Sequence, residues 1–188
     1  MGMFDMLNNN RTEEAMLYYL YMMADGEVAY SEEKIFDSLC NELKIDYDTK
    51  DSVIEKCKAL VDGKLSVFSI IIREKLDEQV GKNWFGRDES SSARIIWNLV
   101  NLGYADSDFS AEEKKIVDYL IDRWSVKSEV YREFIDTADT ILTLTKQKDW
   151  IASTFSKGAT RDKREKEVDT EIEYLLNDVK LTIKELTM

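Results

Sequence analysis

Apolar residues recur along this chain at the spacing of helix faces. Ile35, Phe36, Leu39, Cys40 and Leu43 fall at i, i+1, i+4, i+5 and i+8, and Ile116, Val117, Leu120, Ile121 and Trp124 do the same. Val53, Ile54, Cys57, Leu60 and Val61 form a third stripe, and Phe134, Ile135, Ala138, Ile141 and Leu142 a fourth. The pattern predicts helices near 11–24, 31–43, 50–62, 66–80, 92–105, 111–124 and 128–155, with a last one over 161–186. Ser110-Ala111-Glu112-Glu113 reads as a capping box. Asp48 or Asp51 is the expected start of the third helix and Gly63 its end. Gly81 to Ser92, with two glycines and three consecutive serines, is the expected break in the middle of the chain.

The stripes come in matched pairs. Sliding the sequence by 81 residues sets Ala24-Asp25-Gly26-Glu27-Val28 on Ala105-Asp106-Ser107-Asp108-Phe109. Without a gap, Glu32 then meets Glu113, Lys34 meets Lys115, Ile35 meets Ile116, Asp37 meets Asp118 and Leu39 meets Leu120. Seven of these first 16 positions are identical, where roughly one would be expected by chance. The expected architecture is therefore an all-α, internally duplicated helical bundle of about seven or eight helices. Residues 1–156 make the duplicated domain, with halves at about 11–80 and 92–155, and 157–188 form a C-terminal amphipathic helix. Cys40 takes the slot of Ile121 and Cys57 that of Ala138, so both thiols read as buried and inert.

Composition sharpens this picture. The 188 residues contain no proline, which leans toward helices over turn-rich sheet. The 38 acidic and 26 basic residues leave a net charge of −12, a field that repels phosphate backbones and disfavours nucleic-acid binding. The low basic content of the body also argues against direct lipid contact, so any membrane link is expected to run through a partner. No apolar run reaches the roughly 18 residues of a membrane span. With two cysteines and no secretory signal, a cytoplasmic protein is expected, if near a membrane then through that partner.

Two segments could reach other molecules. Val168, Ile172, Leu175, Val179 and Leu186 give the terminal helix a near-heptad stripe, interrupted by Thr182. It either packs back on the bundle or pairs with a second copy in a homo-oligomer. Trp84 and Phe85, between Gly81 and Gly86, either fold onto the body or anchor a partner.

The candidate chemistry sits in two acidic turns. Asp25, Glu27 and Glu32 cluster where the first two helices join, and Asp106, Asp108 and Glu113 stand at matching offsets in the second half. As an EF-hand loop the first turn fails, because Tyr21 and Met23 would fall at the first and third ligand positions and cannot hold a hard cation. A partial carboxylate site remains, which the two turns could complete together. All-oxygen ligands suit Ca²⁺ or Mg²⁺, and the absence of histidine disfavours zinc or copper. The competing reading is that these acids cap helices and face the positive ends of helix dipoles.

The run from Tyr21 to Lys34, an apolar helix ending in Ala24-Asp25-Gly26, then a short turn, then Glu32-Glu33, resembles the signature of TerB-like (tellurite-resistance protein B) domains. The resemblance covers about residues 11–145. It implies a small all-helical stress-response protein of bacteria with two pseudo-symmetric halves. It further implies divalent metal held by acidic residues, here Asp25, Glu27, Glu32, Asp106, Asp108 and Glu113, and action beside membrane-associated protein partners. Ser107 departs from the glycine of the signature, so the second turn is expected to differ in shape from the first.

An enzyme is not expected. There is no histidine for acid–base or triad chemistry, and no phosphate-binding glycine loop or nucleophile elbow. The favoured reading is a non-catalytic module binding a divalent cation at its acidic turns and a protein partner beside them. The alternative is a metal-free adaptor acting through protein contacts.

Overall fold

The computed structural model describes residues 3–61, 65–72, 88–105 and 109–186, with side chains from Asn10 onward. Within these residues the protein is all-α. The helices are α1 (Met3–Met22), α2 (Tyr30–Glu42), α3 (Tyr47–Val61), α4 (Val67–Ile70), α5 (Glu89–Gly103), α6 (Ala111–Trp124), α7 (Ser128–Thr154) and α8 (Ala159–Glu185).

Two helices each carry a segment that is buried nearly all round, and these segments lie at the centre. On α1 every residue from Glu14 to Met22 is buried, and on α5 so is every residue from Ser92 to Val100 except Arg94. A helix without a polar face must be surrounded. Around α1 pack α2, α3, α5 and α6, and around α5 pack α2, α6, α7 and α8. The amphipathic helices supply the expected stripes. Phe36, Leu39 and Cys40 of α2, Val53 and Cys57 of α3, Ile116, Val117 and Leu120 of α6, and Phe134 and Ala138 of α7 are all buried in one core. Tyr19 meets Phe36 with ring centroids 5.3 Å apart, and Trp97 meets Phe134 at 5.6 Å. Both cysteines are buried and outside any disulfide, and burial pushes the Cys40 thiol up to about 11.

Several boundaries differ from the sequence reading. The third helix starts at Tyr47, because Asp46 caps it: its Oδ1 accepts from the Thr49 N–H at 2.8 Å. Neither Asp48 nor Asp51 takes that role. The serines assigned to the central break lie inside α5, which Asp88 opens by accepting from the Ser91 N–H at 2.8 Å. Of the helix expected over 66–80, the described part is α4, with a Ser66 cap and a wider turn at Ile71–Ile72. Residues 73–80, Gly63, Trp84 and Phe85 lie outside the described residues.

The terminal helix folds back. α7 and α8 form an antiparallel hairpin, joined by Phe155 to Gly158. At its base Val179 enters the main core, and Leu176, Ile183 and Leu186 pack against it. Farther out Leu144, Ile151 and Val168 form a separate small cluster with Phe155, Ile172 and Leu175. Thr182, which breaks the apolar seam, donates its hydroxyl to Glu133 of α7 at 2.6 Å. No helix among the described residues is long and apolar enough to cross a membrane.

Candidate binding site at the acidic turns

The first turn follows from where α1 must stop. After Met22 the chain makes three further turn hydrogen bonds, from the N–H groups of Met23, Ala24 and Gly26 to the carbonyls of Leu20, Tyr21 and Met23. Gly26 then takes φ +97°, a left-handed conformation that glycine adopts without a Cβ penalty. Asp25 stands exposed, and its Oδ1 accepts from the Glu27 N–H at 3.1 Å. Glu27 is exposed as well.

Glu32 behaves differently. It is only 3% exposed, and its Oε2 accepts from the Ala29 N–H at 2.7 Å. That is the glutamate half of a capping box, reaching from the third helical position to the residue before the helix. Ala29 has no side-chain oxygen with which to return the bond.

The second turn contains the complete arrangement. Glu113, 4% exposed, accepts from the Ser110 N–H at 2.9 Å, and the Ser110 hydroxyl oxygen accepts from the Glu113 N–H at 3.3 Å. Ala29 and Ser110 are themselves matched by the 81-residue shift, as are Glu32 and Glu113. Asp106 and Asp108 lie outside the described residues.

The six acids named from the sequence thus divide. Two are buried and bound to backbone N–H groups at helix starts, two are exposed on one turn, and two are not described. Among the described residues no three acids or thiols converge as an ion-binding group, so Asp25, Glu27 and Glu32 do not by themselves assemble a ligand set.

The sequence reading missed one polar cluster altogether. Glu14 of α1 is 1% exposed and accepts two hydrogen bonds from the Arg94 guanidinium of α5, at 2.5 and 2.9 Å. The Tyr18 hydroxyl donates to Glu14 at 2.6 Å and accepts from the Asn98 amide at 2.8 Å. Burial first, and then the Glu14 charge, hold the Tyr18 hydroxyl well above its usual range, which keeps it a donor. One turn separates Glu14 from Tyr18 and one separates Arg94 from Asn98, so the four form a seam between the two central helices. Polar residues at i and i+4 beside or within the apolar runs of the two helices were the available signal.

The family model described as tellurite resistance protein TerB matches residues 12–134. The chain belongs to the TerB family. No curated protein and no solved structure matches it. The TerB match runs from α1 into the first part of α7. It includes both acidic turns and both sides of the Glu14–Arg94 seam, and it leaves out most of α7, from residue 135 on, and all of α8.

Proposed function

We propose that this TerB-family chain is a non-catalytic adaptor that works by binding a protein partner, and that its buried turn glutamates are architectural. The observation that supports this is the pair of caps. Glu32 and Glu113 each accept from the backbone N–H three residues upstream, and each is almost wholly shielded from solvent. A buried carboxylate committed to a helix start fixes the path of the preceding turn. The acidic signature thereby sets the corner between two helices.

A second reading keeps a divalent cation, Ca²⁺ or Mg²⁺, at the acidic turns. It is favoured by the exposure of Asp25 and Glu27 on the Gly26 turn. A carboxylate also accepts through several lone pairs, so a cap bond does not use up Glu32. Asp106, Asp108 and Glu113 would complete the set.

Thermal melting in EDTA, Ca²⁺ and Mg²⁺ at matched ionic strength separates the two. The adaptor reading expects no difference between the ions beyond screening. The cation reading expects a rise of roughly 5–10 °C at a hundred times the dissociation constant, cation-specific and lost in Asp25→Asn with Asp106→Asn. Glu32→Gln with Glu113→Gln adds a finer cut. Glutamine can still cap but is a poor ligand for a hard cation, so it preserves the fold and removes any cation effect.

A further inference from the structure

We propose that the far end of the α7–α8 hairpin docks on the surface of an anionic lipid bilayer. The end lies outside the residues that the TerB model matches.

Charge is segregated along the molecule. Residues 145–166 hold seven basic and three acidic side chains, a net of +4, so the rest of the chain carries −16. The apex, flanked by Asp149 and Glu165, is itself net positive. From Trp150 to Arg164 there are four cations, Lys157, Arg161, Lys163 and Arg164, against Asp162 alone. Some cations of this end are internally matched: Lys148 pairs with Asp169, Arg161 with Glu165 and Lys163 with Glu167. Lys146, Lys157 and Lys166 make no ion pair among the described residues and are exposed. The first turn of α8 begins here after Gly158, which supplies no side-chain cap, so the positive end of a long helix dipole faces the same way.

An exposed aromatic accompanies the cations. Trp150 is 56% exposed and meets Phe155 edge-on, with ring centroids 5.9 Å apart. The guanidinium of Arg164 lies 4.6 Å from the centre of the Phe155 ring. Indole rings settle at the headgroup level of membranes, between lysines and arginines that meet anionic lipid.

Reach removes the objection raised by the acidic body. The last residues of the hairpin that pack on the main core are Ile141 on α7 and Leu176 on α8. At about 1.5 Å per helical residue the apex stands roughly 20 Å beyond them. That is more than twice the Debye length of about 8 Å at physiological salt, so a membrane met end-on feels the apex and little of the body. A nucleic-acid partner fits less well. Four apex cations would neutralise few phosphates, and salt removes most of so short a contact, whereas the Trp150 contact survives salt.

The test is co-sedimentation of the full chain with vesicles, in EDTA so that divalent ions cannot bridge acidic protein to acidic lipid. Phosphatidylcholine vesicles are compared with vesicles containing phosphatidylglycerol as well. The expected result is binding to the anionic vesicles alone, weakening as salt rises. The K157Q/K163Q/R164Q variant should lose on the order of fivefold affinity per cation removed, with an unchanged melting profile. Trp150→Ala should weaken the binding that remains at high salt. No sedimentation, equal binding to both vesicles, or full binding by the charge variant would each overturn the proposal. Retention of duplex DNA in place of vesicles would overturn it in favour of a nucleic-acid surface.

Discussion

Three glutamates are buried among the described residues, and they are held in two ways. Glu14 faces a guanidinium from another helix, across the centre of the bundle. Glu32 and Glu113 face backbone N–H groups of their own helix starts. A side-chain pair joins elements distant in sequence and is costly to break on one side only, because the partner's charge is stranded. A cap joins residues three apart and is tuned by the residue that precedes the helix. The first kind registers two central helices; the second shapes the corners that the TerB signature marks.

Removing partners singly should expose that difference. Glu14→Ala is expected to cost the most, about 3 kcal/mol, near the low end for a broken buried pair because Arg94 is partly solvated. Chemical denaturation measures it, and a cost below that of the cap variants would reverse the ranking. Glu113→Ala should cost about 1–3 kcal/mol by leaving the Ser110 N–H without its acceptor, and Glu32→Ala a similar amount at Ala29. The glutamine versions should cost much less.

The two corners should also differ from each other. Ala29→Ser should stabilise by about 1 kcal/mol, because it completes at α2 the reciprocal box that Ser110 already makes at α6. Ser110→Ala should lose about the same. Equal and negligible effects at both sites would show that the caps are not felt. The last contrast is at a thiol. Burial raises Cys40 to about 11 in the folded protein, so its contribution is fully present below the unfolded thiol value and is lost as pH rises toward 11. Native Cys40 should accordingly alkylate far more slowly at mildly alkaline pH than the unfolded chain. Matched rates would mean that the thiol is reached without unfolding.

How much of this was legible beforehand follows from range. Helical stripes are local, and Phe36, Leu39, Ile116, Val117 and Leu120 stand in the core as their spacing implied. The Ser110–Glu113 box was also readable, because both partners lie within one turn. The start of α3 was misread because several acids stood in a row, and only geometry selects Asp46 among them. The Glu14–Arg94 pair spans 80 residues, and nothing in either helix alone names its partner. The basic apex of the hairpin was hidden by averaging. Counted over 157–188, the charges nearly cancel, and only the fold shows that Lys146 and Lys148 of α7 lie on the same hairpin arm as the cations of 157–166.

The most direct test of the account is amide hydrogen exchange at Ala29 and Ser110. Both N–H groups should be protected in the parent, equally in EDTA and in Ca²⁺. Protection should persist in Glu32→Gln and Glu113→Gln and vanish locally in the alanine variants. Protection that survives the alanine variants, or arises only when a divalent cation is added, would contradict the assignment of these acids as caps.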